Sequence, residues 1–270
     1  MTKINIKSNI PNFITLSNLF LGFVSIVLLA LSLASDDINL KIACYLIFIA
    51  AFLDILDGKA ARKLKITSDF GKEIDSLADL ISFCLVPSLL IFVWYSKISE
   101  IEFIPLIFLS SFPIILGAIR LAKYNAIRNM RESVQYIGMP TPANAIWICS
   151  LILFTMNFPL YESGILNINF ILFQWMYNLL EFIPSNKYSI LYMSIFSSVL
   201  LMSKVDYNKF PLISFKINKK NSIDLFNLIL FCLILILSIL LNCYDIVLLF
   251  FILIYIFGNF IKYLYHIILK

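Results

Sequence analysis

The sequence predicts an all-α polytopic membrane protein with about eight transmembrane helices. Three observations carry that reading. The 270-residue chain is 61% hydrophobic and 14% charged, where a soluble domain averages about 25% charged, and its mean hydropathy is +0.94. Several apolar runs reach the roughly 20 residues that a helix needs to cross a bilayer. The positive charges also sort to alternate loops: of 21 Lys and Arg, all but Lys41, Lys97 and Lys187 fall on one side of the predicted membrane.

Taken in order, the polar start 1–12 leads into an ordinary span and shows no cleavable leader. Spans are then expected at 14–35, 40–57, 77–96, 102–122, 142–158, 188–203, 224–242 and 245–264. The charge bias puts both termini on the cytoplasmic side of a cell membrane. Asp36, Asp37, Glu100, Glu102, Glu162, Glu181 and Asp245 fall in the opposite loops. Residues 165–183 are apolar but carry three Asn, a Gln and a Glu. As a further span they would invert the charge sorting of everything after them. An interfacial or re-entrant helix on the outer side, with Trp175 and Tyr177 at headgroup level, fits better. The organisation is then a core at 1–203, a basic loop at 204–223 lying on anionic headgroups, and two additional spans within 224–270. The five scattered cysteines have no metal or disulfide spacing and read as buried small hydrophobes. The single histidine, His266, excludes a mechanism that needs a histidine pair. Nothing in the pattern suggests a nucleic-acid partner.

Chemistry concentrates at one place. Asp54, Asp57, Gly58, Ala61, Arg62, Gly71, Asp75 and Asp79 form the pattern D-x2-D-G-x2-A-R-x8-G-x3-D-x3-D. Asp54 and Asp57 are three residues apart at a helix end, and Asp75 and Asp79 four apart at the next helix start, so each pair shares a helical face. Antiparallel neighbours would bring the pairs together. Four carboxylates that close cannot all ionise alone. Two Mg²⁺ or Mn²⁺ ions, hard cations with oxygen ligands, would neutralise them and serve displacement at phosphorus. Gly58 and Gly71 remove side chains where a ligand must approach, Ala61 is similarly small, and Arg62 offers a donor fork suited to phosphate. A single acid of this kind would be a surface carboxylate at a helix end. Acids lining a transport path are the reading from another class, but they would be spread through the membrane depth.

These residues resemble the signature of the CDP-alcohol phosphatidyltransferase family, and every fixed position of it is met. Beyond the signature, IPNFITLSNLFLG (10–22), DSLADLISFCLVP (75–87), RLAKYN (120–125) and GMPTPANA (138–145) resemble the family's phosphatidylserine synthase branch, with Asn144 where that branch usually has Ala. The resemblance implies a six-helix catalytic core with an interfacial helix before it. It implies that Asp54, Asp57, Asp75 and Asp79 hold the metals, with Asp79 as general base. Gly58, Ala61 and Gly71 would admit the cytidine, and Arg62 would lie near the diphosphate. The expected reaction is transfer of a phosphatidyl group from CDP-diacylglycerol to L-serine, directly and without an enzyme nucleophile. The same chemistry with glycerol 3-phosphate or inositol phosphate is the nearest rival.

Arg120, Lys123 and Asn125 are the candidates for the acceptor; as charged loop residues they read equally as membrane anchors. Asn12, Thr15 and Asn18 recur every three residues on the first helix. They form a polar stripe that faces either the donor headgroup or another helix. Membrane lipids surround the chain, and the resemblance admits a homodimer.

Overall fold

The computed structural model describes residues 6–34, 37–64, 69–98, 101–127, 135–163, 166, 171–208 and 233–268. The helices are α1 (Ile6–Ser32), α2 (Ile38–Leu64), α3 (Asp69–Asp79), α4 (Val86–Ile98), α5 (Phe103–Ser110), α6 (Phe112–Ile127), α7 (Thr141–Glu162), α8 (Ile171–Leu180), α9 (Phe182–Ser185), α10 (Ser189–Leu201), α11 (233–240) and α12 (Tyr244–Ile268). A π-helical segment, Leu80–Leu85, joins α3 to α4 without a break. Among the described residues, six helical stretches are long and apolar enough to span: Pro11–Ser32, Ile38–Gly58, Phe70–Ile98, Phe103–Ala126, Thr141–Glu162 and Tyr244–Ile268. The expected sixth span corresponds to the shorter apolar α10. The expected seventh is described only from 233 onward, and the basic loop lies outside the described residues from 209 to 223. The chain is an integral membrane protein of helical build.

The structure divides into two compact units. The first contains α1 to α6, the start of α7 and most of α10. Its most extensive helix pair is α1 with α2. The reason is visible in which residues are buried. On α1 the stripe is Pro11, Thr15, Asn18, Gly22, Ser25, Leu29 and Ser32; on α2 it is Leu40, Ala43, Cys44, Ile47, Ala50 and Ala51, continuing to Asp57. Both follow the alternating three- and four-residue step of one helical face. Both are rich in small side chains, which let backbones approach where lipid supplies no hydrophobic drive between helices. Ser25 Oγ donates to the Leu21 carbonyl at 2.8 Å and lies 3.5 Å from that of Ala43 across the pair. Lys97 meets Asp37 at 2.6 Å; that pair is exposed, so it adds at most about 1 kcal/mol.

The second unit contains the rest of α7, α8, α9, α11 and α12. It also holds a two-stranded antiparallel ribbon, β1 (Gln135–Ile137) with β2 (Asp206–Asn208), in which Tyr136 pairs with Tyr207. The ribbon was not foreseen in a chain of helical periodicity. Gly138 extends it, adopting φ 78° and donating its N–H to the Val205 carbonyl at 2.9 Å. Tyr207 is buried against Tyr255, with ring centres 5.6 Å apart, and burial pushes its phenol up to about 12.

One expectation, the loop position of Asp245, is corrected here. Segment 165–183 contains α8 and α9, of 10 and 4 residues. At a rise of about 1.5 Å per residue, α8 and α9 as described are each shorter than a bilayer span. Tyr177 stacks on Phe158 at 5.7 Å and packs edge-on against Tyr161. Trp175 stays half exposed, its edge against Phe250. Asp245 is not a loop acid. It sits in the first turn of α12, fully buried, and accepts hydrogen bonds from Asn157 Nδ2 at 3.0 Å and from the Tyr161 hydroxyl. A helix N-terminus and two donors replace the water it gives up.

Candidate active site

The site is built where α1, α2, α3, α6 and the start of α7 meet in the first unit. The buried stripe of α2 ends on its two acids, so packing against α1 turns Asp54 and Asp57 inward. α3 then runs back with Asp75 and Asp79 one turn apart on one face. Asp54, Asp57 and Asp75 each bring a carboxylate oxygen within 4.8 Å of the others. Asp57 is 4% exposed. Asp79 lies one turn deeper. The charges of Asp54, Asp75, Arg120 and Asp57 all bear on it.

The π-helical segment starts at the residue after Asp79. Such wide turns inside α-helices are frequent at functional sites, because the extra residue rotates the faces before and after it. Two glycines clamp it. A Cβ at Gly22 of α1 would collide with Ser82 Oγ and reach within 3.2 Å of Ser82 Cα. A Cβ at Gly117 of α6 would collide with Cys84 Sγ and lie 3.1 Å from Cys84 Cβ. Ser82 Oγ donates to the Asn18 carbonyl at 3.1 Å. α1 and α6 thus lean directly on the turn that follows Asp79.

The other sequence candidates divide as follows. Gly58 and Gly71 are partly exposed on α2 and α3, beside the acids. Ala61 and Arg62 lie on the last turns of α2, and their side chains are outside the described residues. Arg120 is 8% exposed and belongs with Asp79. Asn125 Nδ2 donates to Ser76 Oγ, between Asp75 and Asp79, at 2.8 Å. Lys123 is exposed. Of the polar stripe on the first helix, Asn12 is partly exposed, while Thr15 and Asn18 are 4% and 0% exposed. Thr15 Oγ1 lies 2.8 Å from Asp57 Oδ2, so this residue faces a neighbouring helix.

Sequence reasoning missed Thr141. It is 1% exposed, and its hydroxyl donates to Asp79 Oδ2 at 3.4 Å. It also missed Gly22 and Gly117. Position in the GMPTPANA stretch was the one signal for Thr141 and the end of the 10–22 stretch that for Gly22, while nothing local marked Gly117.

The donor set suits a hard divalent cation. Three carboxylates converge with a fourth beside them. Asp79 Oδ1 is enclosed and has no hydrogen-bond partner among the described residues, a polar atom that a cation would satisfy. Asp54, Asp57 and Asp75 could hold a metal ion, with Asp79 adjoining.

Fold and site together define a polytopic membrane protein with a carboxylate centre at the ends of its second and third spans. The sequence profile of the CDP-alcohol phosphatidyltransferase family matches residues 8–180, and the chain belongs to that family. It is 34% identical to a CDP-diacylglycerol–serine O-phosphatidyltransferase of Helicobacter pylori over 158 residues, 57% of this chain and 61% of the relative. It is 34% identical to the enzyme of that name from Bacillus subtilis over 164 residues, 60% and 85% of the two chains. An archaetidylserine synthase of Methanothermobacter thermautotrophicus is 32% identical over 146 residues, 53% and 58%. The chain thus spans about three fifths of the Helicobacter relative that it matches.

Proposed function

We propose that this chain transfers a phosphatidyl group from CDP-diacylglycerol to L-serine, giving phosphatidylserine and CMP. The observation that carries the reading is the convergence of Asp54, Asp57 and Asp75, with Asp79 beside them, in a family of this chemistry. The names of the relatives supply the acceptor: three proteins about a third identical to this chain are serine transferases or an archaetidylserine synthase. Charge sorting supports a cytoplasmic site in the cell membrane.

In this reading Asp54, Asp57, Asp75 and Asp79 would hold two Mg²⁺ or Mn²⁺ ions, which would supply charge neutralisation for the diphosphate of the donor and for the departing CMP. The chain's own groups do the rest. Asp79 accepts the proton of the serine hydroxyl. The serine oxygen bonds to the lipid-linked phosphorus as the bond from that phosphorus to the CMP oxygen breaks, and CMP leaves with the electron pair. Gly58, Ala61 and Gly71 leave room for the cytidine, and Arg62 meets the diphosphate. Arg120 sets a positive charge beside Asp79, where a serine carboxylate would be drawn in. No side chain bonds to phosphorus, so positioning and charge neutralisation account for the rate.

The test is CMP release by the purified protein with CDP-diacylglycerol and Mn²⁺ or Mg²⁺, comparing L-serine, glycerol 3-phosphate and inositol phosphate. Serine-dependent release that disappears in Asp79→Asn is the expected result. Release with another acceptor alone would end the serine reading and keep the family chemistry.

A further inference from the structure

Each acid pair has one member held by a threonine from outside the signature. Asp57, the second acid of the α2 pair, has its Oδ2 2.8 Å from Thr15 Oγ1 of α1. Asp79, the second acid of the α3 pair, has its Oδ2 3.4 Å from Thr141 Oγ1 at the first residue of α7. Both threonines are nearly fully buried, at 4% and 1% exposure. Thr15 also lies 3.0 Å from the Pro11 carbonyl; one proton serves both, and the carboxylate oxygen is the nearer and the charged acceptor. Thr141 has no other hydrogen-bond partner among the described residues. Prolines at 140 and 142 fix the backbone on both sides of it. Its methyl lies 3.9 Å from where a Gly117 Cβ would be, so α6 packs against it. For Asp79 this arrangement holds one oxygen and leaves the other, Oδ1, enclosed without a partner.

We infer that Thr15 and Thr141 are positioning residues that fix the orientation of the second carboxylate of each pair, Asp57 for holding a cation and Asp79 for taking the proton of the acceptor hydroxyl. Groups that hydrogen-bond a metal-binding carboxylate fix its orientation, and losing them costs about 10–100-fold in affinity or activity. At 3.4 Å the Thr141 contact is long for two oxygens, as expected of a catalytic hydrogen bond that tightens only with substrate bound. The inference rests on the metal-dependent transferase reading above.

The experiment compares Thr→Val, which keeps shape and removes the hydroxyl, with Thr→Ser, which keeps the hydroxyl, at each position in the full-length purified protein. Mn²⁺ binding without substrate is read from the free-ion paramagnetic resonance signal. CMP release is read against Mn²⁺ and serine concentration, and unfolding temperature in detergent serves as the control. Thr15→Val is expected to weaken Mn²⁺ binding about 10-fold or more. Thr141→Val is expected to lower kcat by a similar factor, with the serine KM little changed. Both serine variants should stay near wild type. Thr141→Ala makes the same test if valine crowds the helix start. Valine variants that bind Mn²⁺ and turn over like wild type, or serine variants as impaired as valine ones, would overturn the inference while the wild-type activity stood. A wild type that neither binds Mn²⁺ nor releases CMP would bring down the transferase reading itself, and this inference with it.

Discussion

Asn125 Nδ2 donates to Ser76 Oγ at 2.8 Å, and Ser76 Oγ lies 3.1 Å from the Lys72 carbonyl. Asn125 therefore ties the end of α6 to the helix that carries Asp75 and Asp79. Removing it should loosen that face without touching a ligand. Asn125→Ala is expected to cost about 1 kcal/mol of stability and to lower kcat several-fold. Ser76→Ala should do nearly the same, and the double variant should add little to either single change. Unfolding midpoints and initial rates for the four proteins check this. Full additivity would mean that the two residues act separately.

Arg120 is a buried cation beside the acid at the head of the π-helical segment. Neutralising it removes a charge that the site needs and leaves Asp79 among carboxylates only. Hydrogen bonds to charged groups are worth about 1.5–3 kcal/mol, so Arg120→Gln is expected to lower kcat/KM for serine by about 10–100-fold. Arg120→Lys should recover part of this, since it keeps the charge and loses the planar fork. Steady-state kinetics at saturating metal decides it. A glutamine variant indistinguishable from wild type would return Arg120 to the role of membrane anchor.

Gly117 has no room for a side chain beside Cys84. Gly117→Ala forces α6 away from the segment after Asp79 and moves Arg120, one turn further along, with it. Overpacking of this kind costs about 1–3 kcal/mol. Activity should fall more than stability, because the displaced helix carries Arg120. Removing the sulfur relieves the collision, so Cys84→Ala combined with Gly117→Ala should recover part of both, the alanine Cβ still lying 3.1 Å from that of residue 84. Measuring both variants by unfolding temperature and CMP release distinguishes a steric clash from a general intolerance at position 117.

The acids were legible because their spacing is local: steps of three and four residues put each pair on one face whatever the tertiary packing. The polar residues of α1 were legible as a stripe for the same reason. Their partner was not, since Thr15 and Asp57 are far apart in sequence and a periodicity names a face without saying what covers it. Thr141 and Asp79 are similarly distant, and the glycine contacts exist only because α1 and α6 converge on one turn. The π-helical segment leaves no mark on hydrophobic periodicity over so few residues. The ribbon of β1 and β2 is too short, and its strands too far apart in the chain, for an alternation to register. Asp245 was misplaced because the charge rule counts an acid near a helix end as a loop residue, while two donors on α7 draw it inside.

Those donors make the last prediction. Asn157 and Tyr161 are one turn apart on α7, and both reach the carboxylate of Asp245. The Tyr161 hydroxyl also lies 3.2 Å from the carbonyl of Asn242, a residue held at φ 55° in the turn before α12. Asp245→Ala takes the carboxylate away from a buried amide and a buried phenol. Interhelical polar contacts in membrane proteins are worth about 0.6 kcal/mol on average and up to about 1.7, so losing both at once should cost about 1–3 kcal/mol. Asp245→Asn keeps the shape and one acceptor oxygen and should cost less. If the three residues act as one unit, Tyr161→Phe made in the Asp245→Ala background should cost clearly less than in wild type. Denaturation in mixed micelles gives all four midpoints. Equal penalties in both backgrounds would show that Asp245 is held by its helix end alone and that the contact with Tyr161 contributes nothing.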